Sequence, residues 1–219
     1  MDLEKGCKLV MIGDSITDCE RRHPYGEGLF EGTGKGYVAL VDAYIQIAYP
    51  ELDIRCINMG IGGNTVRDLK KRWRTDVLDL KPDWLSIMIG INDVWRHFDE
   101  PKIKESHIDL KEYENTLFDL VEQVKPGLKG LVLMSPFLIE LNAEDAMRKK
   151  MDDYGLAVKR IAEQVGAVFI DIQEEFNKML NYYYSGTFAA DRVHPNMTGH
   201  MVIARAFLNA VGYDWSRNR

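Results

Sequence analysis

Five short apolar runs, at 8–12, 54–58, 84–89, 130–134 and 167–170, punctuate this chain, and longer amphipathic stretches separate them. Nearly continuous apolar runs of this length read as strands buried on both faces, rather than strands with one wet face. Between the first two runs, Leu40, Val41, Tyr44, Ile45 and Ala48 recur at helical spacing within 37–49. Leu69, Trp73, Val77 and Leu80 do the same within 66–80, and similar stretches follow at 113–124, 146–165, 172–180 and 198–211. A helix packs one apolar stripe against a sheet. Strand and helix alternating over the whole length therefore predict an α/β fold with a five-stranded, doubly wound parallel sheet, in one domain spanning 1–219. Ligands of such sheets bind beyond the carboxyl ends of the strands, near the point where strand order reverses.

Composition excludes several classes of partner. Lys and Arg total 28 against 34 Asp and Glu, and the resulting formal charge of -6 opposes binding to nucleic acid or anionic lipid. The N-terminal residues carry no basic region leading into a signal-type apolar stretch, and nowhere do eighteen apolar residues run together. The expectation is a soluble, cytoplasmic protein with no membrane or nucleic-acid partner. Cys7, Cys19 and Cys56 are odd in number and match no zinc-ligand spacing. They read as free thiols, with no metal and no cofactor. Cys19, four residues after Ser15, falls one helical turn beyond it.

The chemistry-bearing residues cluster after the first three strands and near the C-terminus. Gly13-Asp14-Ser15 follows the first apolar run, where a strand should turn sharply into a helix and expose the Ser15 hydroxyl. A serine needs an imidazole to take its proton, and that imidazole needs a carboxylate to fix its tautomer. Asp191 and His194 supply both, three residues apart. Acyl transfer also needs N–H donors for the developing oxyanion. Ser15 N–H, Gly63 in the glycine-rich 60–64 segment and the neutral amide of Asn92 in the 90–93 loop are the three candidates. Each motif alone describes an ordinary turn or cap. Four of them in order at successive strand ends describe a serine hydrolase.

The loop after the third strand also carries Trp95, Arg96 and His97, and Tyr182, Tyr183 and Tyr184 precede the Asp191 segment. Aromatic and hydrogen-bonding side chains suit a sugar ring better than a fatty chain. Asp14, Trp95, Arg96 and Tyr184 are the candidate substrate contacts, and the tyrosines equally suit a neighbouring subunit. Arg192 is placed to brace its loop through a carboxylate, and His23, His97, His107 and His200 read as structural or exposed.

Gly13-Asp14-Ser15, Gly63, Gly90-x-Asn92-Asp93 and Asp191-x-x-His194 resemble the four sequence blocks of the SGNH hydrolases, the GDSL esterase and lipase family. The resemblance implies a three-layer α/β/α sandwich like flavodoxin's. It also implies Ser15 as nucleophile, His194 as base, Asp191 as its orienter, and an oxyanion hole of Ser15, Gly63 and Asn92. Ile16 stands where many relatives carry leucine, and the GxSxG of α/β-hydrolases is absent. Within the family, segments 12–19, 63–69, 86–96 and 191–195 are similar to those of small bacterial acetylxylan esterases. That similarity implies deacetylation of short acetylated xylo-oligosaccharides and assembly into a homo-oligomer. The competing readings are a lysophospholipase or acyl-thioesterase of the same family, and a carbohydrate-binding protein without chemistry. A flavodoxin-type nucleotide binder fits less well, because the first loop lacks a phosphate-cradling glycine series.

Overall fold

A computed structural model describes residues 1–217. The strands are β1 (Lys8–Gly13), β2 (Arg55–Asn58), β3 (Trp84–Met88), β4 (Gly130–Met134) and β5 (Val168–Ile170). All neighbouring pairs are parallel, in the order β2-β1-β3-β4-β5. All five residues of β3 are buried, as a central strand covered on both faces requires. The order reverses between β1 and β3, so the loops that leave these two strands flank the switch point.

The helices are α1 (Ser15–Asp18), α2 (Tyr37–Ala48), α3 (Val66–Trp73), α4 (Ile91–Asp99), α5 (Leu110–Val124), α6 (Ala146–Val165), α7 (Ile172–Leu180) and α8 (Met197–Ala210). One layer groups α2, α7 and α8; the other groups α3, α4, α5 and α6. This is the expected three-layer α/β/α sandwich. Local chemistry sets many of the ends. Asp145 caps α6 by accepting from Met147 and Arg148 N–H, and Gly166 ends it at φ +71. Thr65 and Asp68 form a reciprocal capping box at the start of α3.

Two segments differ from the sequence expectation. The stretch read as one helix over 66–80 is α3 followed by a wider π turn, Arg74–Leu78, in which Asp79 N–H bonds to Arg74 O at 2.8 Å. The segment after β3, read as a loop carrying Trp95, Arg96 and His97, is the helix α4. Its buried face includes Asn92 and Asp93 beside Ile91 and Val94, so apolar periodicity alone cannot reveal it.

Candidate active site

Each site residue is held by the turn that presents it. At the end of β1, a Cβ on Gly13 would lie 2.3 Å from both Met88 O and Thr17 Oγ1, so only glycine lets the chain pass there. Asp14 then caps the single-turn helix α1, its Oδ1 accepting from Ile16 N–H at 3.0 Å, and Ser15 becomes the first helical residue. Ser15 N–H has no protein partner among the described residues, as expected at a helix start.

His194 reaches Ser15 from 179 positions away in sequence: its Nε2 lies 3.0 Å from Ser15 Oγ. The imidazole Nδ1 lies 2.6 Å from Asp191 Oδ2, while Asp191 Oδ1 accepts from Val193 N–H at 3.0 Å and His194 N–H at 2.8 Å. One carboxylate oxygen thus shapes the loop and the other orients the ring. Because an ionised carboxylate only accepts, Nδ1 carries the imidazole proton and Nε2 presents its lone pair to the serine hydroxyl. Partial burial of Asp191 opposes ionisation, but the hydrogen bonds from His194 and Val193 outweigh it and hold the carboxyl below its ordinary range. Arg192, at φ +66, braces this loop through ion pairs to Glu140 and Asp145 at 3.0 and 3.3 Å.

The other two loops approach the same rim. Gly63 adopts φ +77, is exposed, and its N–H has no protein partner among the described residues. Asn92 is buried, with Nδ2 donating to Asn64 O at 3.0 Å and Oδ1 accepting from Arg96 Nη2 at 3.2 Å. Next to it, Asp93 Oδ1 accepts from Val66 N–H at 3.0 Å and joins the starts of α3 and α4. Its Oδ2 is buried without a partner among the described residues, and burial raises the carboxyl to about 7.

Arg72 gathers the strand ends from beneath. It donates to Gly13 O at 2.9 Å, Met59 O at 2.7 Å and Asn64 Oδ1 at 2.7 Å, and pairs with Asp76 at 2.8 Å. Sequence reasoning assigns no role to Arg72 or Asp93: apart from Asp76 four residues on, Arg72 meets two carbonyls and the Asn64 side chain, and Asp93 meets Val66 N–H. The only sequence signal is a charge next to Trp73 on the sheet-facing helix and a second carboxyl in the Asn92 block.

Among the substrate-contact candidates, Asp14 is the most buried. It is 1% exposed and its Oδ1 is committed to the α1 cap, which assigns the side chain a structural duty. Burial raises it to about 7. Trp95 lies with its ring centroid 5.8 Å from that of His194. Tyr184, 77% exposed, borders a cavity of about 450 Å³ shared with Asp191 and Arg192. Arg96 is engaged by Asp99 and by Asn92.

The remaining histidines have structural partners. The His97 and His107 rings meet tilted at 32°, with centroids 4.4 Å apart, and bond to the carbonyls of Ile108 and Glu100. His200 Nδ1 accepts from Tyr37 N–H at 3.2 Å, so its Nε2 carries the proton and faces Cys19 Sγ at 3.4 Å. Burial, and after it the proximity of His194, lowers His200 to about 4. That tautomer makes the imidazole a donor to sulfur and denies Cys19 a base. Cys7, Cys19 and Cys56 are free thiols.

Comparison with known proteins agrees with this geometry. The chain is 56% identical to an acetylxylan esterase of Geobacillus stearothermophilus over 219 residues, 100% of both chains. A crystal structure of an acetylxylan esterase from that organism superposes with a TM-score of 0.98 at 56% identity, covering 100% of each chain. Three variants of that enzyme described as catalytic mutants, S15A, D191A and H194A, match at 55% identity with TM-scores of 0.97, 0.97 and 0.98. They cover 98%, 98% and 100% of this chain, and the same shares of their own. The profile of the GDSL-like lipase/acylhydrolase family matches residues 11–202. With its nucleophile turn, its Asp-x-x-His loop and its glycine and asparagine loops on one rim, the chain belongs to the GDSL-like lipase/acylhydrolase family.

Proposed function

We propose that this chain is a serine esterase that removes O-acetyl groups from short acetylated sugars such as xylo-oligosaccharides. The observation that carries this reading is the hydrogen-bonded series from Ser15 Oγ to His194 Nε2 at 3.0 Å and from His194 Nδ1 to Asp191 at 2.6 Å. Ser15 Oγ attacks the acetyl carbonyl carbon while its proton passes to His194 Nε2. The carbonyl oxygen takes up the negative charge and is met by Ser15 N–H, Gly63 N–H and Asn92 Nδ2. Collapse expels the sugar oxygen, which takes the proton from His194 and leaves as an alcohol, with the acetyl group on Ser15. Water then repeats the sequence, with His194 as base, and releases acetate.

Substrate class is supported by the surroundings of the serine. The cavity beside Asp191 is lined by Tyr184, Ser185 and Arg192, and a second of about 260 Å³ is lined by Trp95, Phe98, Asp99 and Arg192. Aromatic faces mixed with charged and hydroxyl groups suit a sugar. The full-length likeness to an acetylxylan esterase points the same way.

Ser15→Ala should abolish turnover of 4-nitrophenyl acetate and acetate release from acetylated xylo-oligosaccharides, with melting unchanged. Turnover near wild type would remove the assignment. Acetyl, butyryl and octanoyl esters separate this reading from a lysophospholipase or thioesterase, which would favour the longest. Failure of the wild type to react with a serine-directed fluorophosphonate would instead favour a sugar-binding protein.

A homo-oligomer and a cytoplasmic location belong to the same proposal. Tyr182, Tyr184 and Leu141, at 82%, 77% and 54% exposure, line one shallow cavity of about 420 Å³ whose burial against a second copy would remove apolar surface from water. Among the described residues no helix is long and apolar enough to cross a membrane. A monomeric mass by light scattering, or recovery in the membrane fraction, would count against these two parts.

A further inference from the structure

Asn92 has a difficult task for an amide. Its two ends are nearly the same shape, yet only the nitrogen end can donate to an oxyanion. The side chain is 3% exposed, so water does not choose its orientation. One N–H of Nδ2 is spent on Asn64 O at 3.0 Å, which leaves the second for a substrate oxygen. The carbonyl end meets a cation: Arg96 Nη2 donates to Asn92 Oδ1 at 3.2 Å. Arg96 lies four residues further along α4, where one turn places it on the same face. It is itself held, pairing with Asp99 and lying 3.9 Å from Glu100 Oε1, with its guanidinium 5.7 Å from the Trp95 ring centroid. The Trp95 ring in turn sits beside His194.

From this geometry we infer that Arg96 is a positioning residue for the oxyanion site: it fixes the Asn92 amide and draws electron density toward Oδ1, so that Nδ2–H becomes a stronger donor. The inference rests on the esterase reading above and replaces a sugar-contact role for Arg96. Guanidinium cannot lose its proton under working conditions, so the polarisation is permanent. Hydrogen bonds in series strengthen one another when an end is charged. The benefit falls on the transition state, where the oxygen carries charge, and not on the neutral ester, so it affects kcat and leaves KM alone.

Removing a whole oxyanion donor costs about 10²–10³-fold in kcat. Arg96 acts through one donor without removing it, and Arg96→Gln should lower kcat on 4-nitrophenyl acetate by about 10-fold with KM within about twofold. The same fall is expected with acetylated xylo-oligosaccharide, since the aryl ester carries no sugar to bind. In an Asn92→Ala background, Arg96→Gln should add less than about a twofold loss, because its route to the oxyanion is gone. Wild-type activity that disappears in Ser15→Ala establishes the underlying esterase reading separately. With that activity present, the inference is overturned by an unchanged kcat on the aryl ester, by a loss seen only as KM on the sugar ester, or by losses that multiply in the double variant. Should Arg96→Gln not fold, Arg96→Lys keeps the cation within reach of Asn92 and should stay within about threefold of wild type. A loss as large as that of Asn92→Ala would overturn the inference.

Discussion

Asparagine at position 191 changes one oxygen to an NH₂ group at constant size, and the surrounding hydrogen bonds decide which way that group turns. Asp191 uses both oxygens: Oδ1 accepts from two backbone N–H groups at 3.0 and 2.8 Å, and Oδ2 serves His194 Nδ1 at 2.6 Å. Asparagine has a single oxygen for these duties. Turning it toward His194 would forfeit two backbone bonds, each worth about 1 kcal/mol, and set the NH₂ group against two donors. Keeping the backbone bonds presents an N–H to Nδ1, which must then accept. The neutral ring therefore carries its proton on Nε2, pointing at Ser15 Oγ, where it can no longer receive one. Two bonds and a donor clash weigh against one tautomer change, so the inactive tautomer prevails.

The same exchange in a protease triad costs about 10⁴-fold in kcat, or about 5 kcal/mol of transition-state stabilisation at about 1.36 kcal/mol per tenfold. Asp191→Asn should show a loss of this size on 4-nitrophenyl acetate, with melting little changed because the loop bonds persist. A kcat within about tenfold of wild type would refute the tautomer argument.

Burial holds Asp93 near about 7, above the roughly 3.9 of an unfolded aspartate. The folded state therefore favours the proton. The contribution of Asp93 to stability is complete below about pH 4, declines as pH rises toward about 7, and is constant beyond. Asp93→Asn cannot ionise and keeps the acceptor for Val66 N–H, so its melting temperature relative to wild type should climb from about pH 4 to about pH 7; a flat difference would count against it. Gly90, at φ +133, would place a Cβ 2.9 Å from Pro136 Cγ and 3.0 Å from Tyr113 Oη. Gly90→Ala should cost about 1–3 kcal/mol in denaturant titration, and an unchanged midpoint would contradict the strain. Arg72→Met leaves Met59 O and Asn64 Oδ1 without a donor and Asp76 without its cation, while Gly13 O keeps Ile61 N–H, and should cost about 3–5 kcal/mol by the same titration. A loss below about 1 kcal/mol would show that the loops do not depend on it.

The sheet is legible in the sequence because its inner strands β1, β3 and β4 are buried on both faces, which writes them as apolar runs, and β4 begins and ends where the pattern does; the edge strands β2 and β5, with Arg55 and Val168 exposed, are shorter and less regular. Helices α6 and α7 are legible to the residue because Asp145 and Asp171 cap their starts and Gly166 ends α6. The helix α4 is not, since its inward face carries Asn92 and Asp93 at positions where periodicity looks for apolar residues. The site is legible as ordered motifs: Ser15, Gly63, Asn92 and Asp191 with His194 each mark a chain turn with a recognisable composition. The capping duty of Asp14 is not legible as such, because the pattern that exposes a serine buries the aspartate before it. The bracing role of Arg72 is invisible because, beyond the Asp76 pair one turn on, its partners are carbonyls at the ends of two strands and the Asn64 side chain, neighbours that only the finished fold supplies.

These less legible residues explain how three loops are kept in register. The turn after β1 is tied to Arg72 through Gly13 O, and the turn after β2 through Met59 O and Asn64. Asn64 O holds the Asn92 amide, and Asp93 returns to the start of α3 at Val66. The ties form a closed circuit through β1, β2 and β3. Apolar packing would be less costly, since burying these polar groups forfeits hydration that only well-made bonds recover. Apolar contacts, however, carry no direction, and an oxyanion donor must be placed to within about 0.5 Å. A buried polar circuit supplies direction because a displacement in one loop breaks a bond in the next. The three proposed donors should therefore shift together, and the cost of loosening any one tie should appear in kcat before it appears as unfolding.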